Sequence, residues 1–236
     1  MDHKAVLHDL MTADLAPGTV PEGVRILRPF SGEGASEVRR NVRAFHEKFF
    51  GDRHPRLLLL GINPGRLGAG STGIAFTDSK RCESDLGLKA GPPRTHEPSS
   101  EFFYRMIRAA GGASAFYRIA YVTSVCPLGF TAQSATGNTV NLNYYDRKDL
   151  QEALTPFIEQ WLTRLSDRGF VRERVICIGT GKNYRYLNEL NDRLGLFGSI
   201  IPIEHPRYIM QYRSRAMKTY IDKYLEVLGV PGPKGR

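Results

Sequence analysis

Four stretches of this chain are apolar without alternation: Leu57 to Ile62, Ile119 to Val125, Val175 to Ile178 and Ser199 to Ile203. A strand with one wet face alternates polar and apolar residues, so these four must be covered on both faces. Helical periodicity fills the gaps between them. Ser36 to Phe50 repeats Val38, Val42, Phe45 and Phe49, with Arg39, Arg40 and Arg43 elsewhere around the helix. Further helices are expected over Ser100 to Ala110, Arg147 to Leu165, Gly181 to Gly195 and Arg213 to Leu228, with Pro156 kinking or restarting the second of these. This alternation predicts an α/β fold: a three-layer α/β/α sandwich with right-handed crossovers and a mainly parallel four-stranded central sheet. At 236 residues and 41% apolar content, a single domain over residues 1–236 is expected. Gly65 to Ser99, rich in Gly, Pro and charge, reads as a functional loop region with little regular structure, and Pro231 to Arg236 as a frayed tail.

Sheets of this kind gather reactive groups at the carboxyl ends of their strands. Two strand candidates end in a polar residue followed by proline, one at Asn63-Pro64 and the other at His205-Pro206. Each alone has a plain structural reading, an Asn-Pro turn and a packed histidine; together they suggest two halves of one site. An asparagine amide can hold a water in a fixed pose but cannot take its proton, which suits an electrophile that is already reactive, such as a deoxyribose oxocarbenium ion. An imidazole at 205 is suited to stabilising a departing anion.

The glycines of Gly61-Ile-Asn-Pro-Gly-Arg-Leu-Gly-Ala-Gly70 let a ligand approach the backbone closely. The stretch lacks the Lys-Ser/Thr of a P-loop and the helix pattern that follows a Rossmann turn. Phe76 is either a stacking platform for a planar substrate or a core aromatic. Ser124 ends the second strand, where its hydroxyl can read a ligand atom or cap a chain reversal. Lys182, beside the Gly179-Thr-Gly181 turn at a helix start, offers a phosphate contact. Tyr208, Ile209 and Met210, flanked by Arg207, Arg213 and Arg215, suit a wedge entering a base stack while cations grip phosphates; the other reading is a helix turn packed into the core.

Composition narrows the partner. Thirty-three Lys and Arg against twenty-four Asp and Glu leave a net charge of +9, which favours a polyanion and points to nucleic acid. No apolar run of membrane-spanning length and no secretory leader occur, so a cytoplasmic, nucleoid-associated protein without a membrane partner is expected, acting as a monomer. His46, His54 and His96 are scattered and three cysteines cannot make a four-cysteine cluster, so neither metal nor cofactor is expected.

Gly61-Ile-Asn-Pro-Gly65 paired with His205-Pro206 resembles the uracil-DNA glycosylase superfamily, and most resembles the bacterial branch of its single-strand-selective monofunctional family. Phe76, Cys126-Pro127-Leu128 and Gly179 fall in the family's order. The resemblance implies that Asn63 positions the hydrolytic water, that Phe76 stacks under a flipped base and that His205 stabilises the base's oxygen. It also implies that Ile62, Gly65, Gly68 and Ser124 face the substrate, with Gly65 and Gly68 leaving room for deoxyribose. Lys182, Pro206, Arg207, Tyr208, Ile209, Met210 and Arg213 would then contact DNA, with Pro206 to Arg213 as an intercalating loop. Two departures stand out. Ser124 replaces the family's base-reading asparagine, implying a broader pocket that takes uracil and also xanthine or hypoxanthine. Arg207-Tyr-Ile-Met-Gln-Tyr-Arg213 replaces the usual Ser-Pro-Arg-Asn. The expected activity is a monofunctional glycosylase acting on a damaged base in single- or double-stranded DNA. A mismatch-specific uracil or thymine glycosylase and a non-catalytic nucleic-acid binder are the alternatives.

Overall fold

The computed structural model describes residues 1–90 and 94–230, so the expected tail at Pro231 to Arg236 lies outside the described residues. In chain order, α1 (His3–Thr12), β1 (Arg25–Leu27), α2 (Ala35–Phe50) and β2 (Leu57–Gly61) are followed by α3 (Ala69–Thr72), α4 (Ser79–Ser84), α5 (Pro98–Ala109) and α6 (Ala113–Ile119). Next come β3 (Ala120–Ser124), β4 (Gly129–Gln133), β5 (Thr139–Leu142), α7 (Lys148–Ser166) and β6 (Val171–Ile178). The last elements are α8 (Lys182–Leu194), β7 (Ile200–Ile203), α9 (Pro206–Tyr212), a 3-10 turn at Ser214–Ala216, and α10 (Met217–Leu228).

The four apolar runs form one parallel sheet in the order β3-β2-β6-β7, flanked by helices, as the sequence pattern predicts. In β2, Leu57, Leu58, Leu59 and Leu60 are all buried, which requires cover on both faces. Aromatic contacts join the helices of one layer: Phe45 of α2 meets Tyr117 of α6, Phe116 of α6 meets Phe103 of α5, and Phe102 of α5 meets Tyr224 of α10. Elsewhere α7 and α8 are tied by Thr155 and Tyr186, whose hydroxyls are 3.1 Å apart. Below the sheet's amino edge, the fully buried guanidinium of Arg56 donates to the carbonyls of Tyr117, Phe49 and His54 and pairs with Asp52. Its donors are thereby matched, the condition under which a buried cation is tolerated.

Several features depart from the sequence reading. A second, antiparallel sheet in the order β1-β4-β5 is absent from it, because these strands are short and partly exposed. β6 begins four residues before the expected Val175, since Val171 to Arg174 carry little apolar signal and are largely exposed. The described part of Gly65 to Ser99 has little regular structure, as expected, apart from α3, α4 and the start of α5; α4 is opened by Asp78, whose Oδ1 accepts from the Arg81 amide at 2.9 Å. The expected last helix starts later, at Met217 after the 3-10 turn, and the separate short helix α9 precedes it. α7 runs unbroken through Pro156.

His46 lies on α2 with 1% of its surface exposed, and burial holds its pKa down to about 3. The unfolded chain protonates this residue near pH 6.5, so the folded state binds fewer protons and stability falls as pH drops from about 6.5 towards 3. His46→Phe should therefore flatten the pH dependence of unfolding free energy across pH 6 to 4 by about 1.4 kcal/mol per pH unit. Urea unfolding at several pH values reads this directly, and parallel curves for the two proteins would refute it.

Candidate active site

Beyond the end of β2 the backbone stays tied to the neighbouring strand: the Val125 amide donates to the Gly61 carbonyl at 2.9 Å and the Cys126 amide to that of Ile62 at 3.1 Å. Asn63 is the first residue clear of these bonds. Its Nδ2 donates to the Leu142 carbonyl at 3.0 Å and its Oδ1 accepts from the Tyr144 amide at 3.1 Å. The side chain thus clamps the parallel sheet to the end of the β4-β5 hairpin. One N–H and one lone pair of the amide stay available for a water. Asn183, buried at the start of α8, braces the same junction: its Nδ2 donates to the carbonyl of Ile178 at 3.3 Å, and its Oδ1 accepts from the Tyr144 hydroxyl at 2.9 Å.

His205 leaves the sheet after β7 and caps α9, with Pro206 at the first helical position. Its Nδ1 accepts from the Arg207 amide at 3.1 Å, which puts the proton of the neutral ring on Nε2. Burial and the Arg207 charge hold its pKa down to about 4, so the ring is a neutral donor at pH 7. Phe76 stacks on Phe103 with ring centres 4.7 Å apart and lies 5.5 Å from the His205 ring. It holds a φ of 51°, a left-handed conformation that costs a phenylalanine about 1–3 kcal/mol. Neighbouring bonds hold it there: Thr72 donates to the Thr77 carbonyl at 2.7 Å, and Thr77 shares a hydrogen bond with the Tyr104 hydroxyl at 2.9 Å. Gly61 makes room for the ring, because a Cβ there would sit 3.1 Å from Phe76.

Between these groups lies a cleft of about 130 Å³. It brings together seven of the residues singled out from sequence: Ile62, Asn63, Gly65, Phe76, Ser124, His205 and Arg207. Ser124 also lines an adjoining cavity of about 310 Å³ that runs beside β3 under α1 and α2. Other expected residues lie elsewhere. Gly68 opens onto no free space, because a Cβ there would meet the Glu97 carboxylate at 2.1 Å; the room expected for deoxyribose is filled. Pro206 is buried as part of the α9 start, so it offers DNA no surface. Ile209 has 0% exposure and packs into the core from a helix instead of standing in a loop, which removes it as a wedge. Met210 is half-buried against the core. Tyr208 and Arg213 are exposed and joined by a 3.1 Å bond from Nε to the hydroxyl, with Tyr212 beside them at 64% exposure. Lys182 is exposed at the start of α8, outside the cleft lining.

Polar cleft residues that escaped the sequence reading include Glu97, Asn141 and Asn143. Asn141 accepts from the Arg66 amide at 3.0 Å and steadies the loop after Asn63. The Glu97 amide donates to the buried Asp78 carboxylate at 2.9 Å. Burial and the charge of Asp78 push the Glu97 carboxyl up to about 7, while Arg207 pulls the other way. Among the described residues, no group of three or more His, Cys, Asp or Glu is placed to hold a metal ion, and no helix is long and apolar enough to cross a membrane. The three cysteines are free and buried.

The sequence profile of the Uracil DNA glycosylase superfamily matches residues 48–229. The solved structure of wild-type SMUG2 from Pedobacter heparinus is 40% identical in sequence, with a TM-score of 0.91 over 96% of each chain. No curated protein sequence matches the chain.

The Asn63 clamp has a measurable signature. In Asn63→Asp a carboxylate oxygen would face the Leu142 carbonyl where Nδ2 now donates, so the variant should be destabilised by about 1–3 kcal/mol at pH 8. Protonation restores a donor, and the loss should shrink towards pH 5. Thermal unfolding at the two pH values checks this; a loss independent of pH would contradict it.

Proposed function

The chain belongs to the uracil-DNA glycosylase superfamily and is a DNA glycosylase, a hydrolase of N-glycosidic bonds; we propose that it removes uracil from DNA by flipping the base into the cleft of Asn63 and His205. The observation that carries this reading is their convergence on one cleft, with the histidine proton directed to Nε2. Phe76 supplies a face on which the extruded base stacks. As the glycosidic bond breaks, its electron pair moves into the base, and the neutral His205 ring donates a hydrogen bond to the base oxygen that gains charge. Such a donor in a dry site contributes about 3–4 kcal/mol of barrier lowering. Asn63 holds the water that attacks C1′ of the oxocarbenium ion, leaving an abasic site. No lysine nucleophile enters, so the enzyme is monofunctional.

Ser124 bears on lesion range. Its short side chain between the cleft and the 310 Å³ cavity makes fewer contacts to a base edge than an amide would, which supports acceptance of xanthine and hypoxanthine beside uracil. Exposed Arg207, Tyr208, Tyr212 and Arg213 support a DNA-gripping rim, in which Tyr208 or Tyr212 fills the vacated stack. The net charge of +9 supports residence on the nucleoid. The protein acts as a monomer on single- or double-stranded DNA.

Oligonucleotides carrying one uracil, xanthine, hypoxanthine or thymine mismatch, single- and double-stranded, test the reading after alkali cleavage of the abasic product. Strand breakage at uracil is expected, with weaker breakage at the deaminated purines. Asn63→Ala and His205→Ala should each slow excision by roughly 10²-fold or more, with DNA binding retained. Activity on G·T and G·U mismatches that survives His205→Ala would favour a mismatch-type enzyme, and no breakage at any lesion would favour a non-catalytic binder.

A further inference from the structure

Hydrolysis as read above, on which this inference rests, leaves one proton of the attacking water without an acceptor, because the Asn63 amide cannot take it. A carboxylate stands in the same cleft. Glu97 is fixed from behind by the hydrogen bond that its backbone N–H donates to the buried Asp78 carboxylate, and it turns its side chain over the loop that follows Asn63. Ideal Cβ atoms at Gly68 and Gly65 would lie 2.1 Å from Oε2 and 3.1 Å from Oε1, so two glycines form the cradle in which the carboxylate rests. Among the described residues, no hydrogen bond or ion pair engages the Glu97 carboxylate. An acid held this closely, facing the cleft and left without a partner, has free lone pairs for a proton.

We propose that Glu97 is the general base of the reaction, taking a proton from the water that Asn63 holds as that water attacks C1′. The bond from C1′ to the base nitrogen breaks first, its electron pair leaving with the base, and the water oxygen then forms the new bond to C1′ of the oxocarbenium ion. One water proton passes to the Glu97 carboxylate and the other stays on the new C1′ hydroxyl. The departing base anion, held by the Nε2–H of His205, then takes that proton from Glu97, which restores the carboxylate.

The surroundings set the pH at which such a base works. Asp78, from the start of α4, raises the Glu97 pKa, and Arg207, from α9, lowers it. His205 faces the cleft as a neutral ring, β5 contributes the uncharged Asn141, and on α5 itself Glu101 is paired with Arg105 near Arg81 and His96. With burial the largest influence, the balance brings the carboxyl up to about 7, so its ionised fraction falls as pH drops below neutrality.

The test is single-turnover excision of uracil from single-stranded DNA between pH 5.5 and 9, with binding to an oligonucleotide carrying an uncleavable 2′-fluoro deoxyuridine as the control for folding. The wild-type rate should fall about tenfold per pH unit well below pH 7. Glu97→Gln should lower the rate at pH 8 by roughly 10²-fold, abolish that acid limb and keep analogue binding. Glu97→Asp should restore a limb, and Gly68→Ala, which displaces the carboxylate without removing it, should slow excision in the same way. A Glu97→Gln enzyme with the wild-type rate at pH 8, or one slowed at every pH with the acid limb intact, would overturn the assignment and leave the glycosylase reading standing. A wild-type enzyme that excises no base would overturn that reading, and this inference with it.

Discussion

A strand with neither a free face nor a free edge governs this molecule. Leu57–Gly61 bonds to β3 on one side and β6 on the other, and its four leucines are buried. Burying a leucine contributes about 1.5–3 kcal/mol, so the strand anchors the core, and the core forbids polar side chains along it. Polar chemistry is pushed to its two ends. At the entrance Arg56 satisfies carbonyls of α2 and α6, and at the exit Asn63 reaches across to the hairpin. The first is a structural rivet; the second shares its bonding capacity between holding the fold and holding a ligand.

The site works mainly with neutral groups held in fixed poses. An imidazolium at 205 would have to be desolvated and would lie near the Arg207 charge, and either effect alone favours the neutral ring. Because a backbone amide occupies Nδ1, neutrality and tautomer are fixed together, and the donor needs no rearrangement when charge appears on a leaving group. Phe76 follows the same logic by a different route. Its unfavourable φ is maintained by threonine hydrogen bonds and by the Phe103 stack, so the aromatic face is in position before any ligand arrives.

The parallel sheet could be read from sequence because its signal is local: a run of buried residues announces itself without reference to its neighbours. Asn63 and His205 were visible for a related reason, each standing where such a run stops at a proline. What sequence concealed depends on chain segments meeting from far away. The β4-β5 hairpin has too few buried residues to stand out, yet it delivers Asn141 and the carbonyl of Leu142 to a loop more than seventy residues earlier. Glu97 looks like an ordinary acid before a helix-opening Pro98, and its setting comes from contacts with Asp78, Gly65 and Gly68. Ile209 misled because arginine and tyrosine surround it; the helix turns its one aliphatic face inward, and neighbours in sequence become strangers in space.

The fit between Gly68 and Glu97 couples the two positions. Any side chain at 68 would push the acid from its present pose, and any shortening at 97 would widen the cleft that the acid lines. The two positions are therefore not free to drift separately. A substitution at 68 thus acts on the site through the displaced carboxylate as well as through the loop itself.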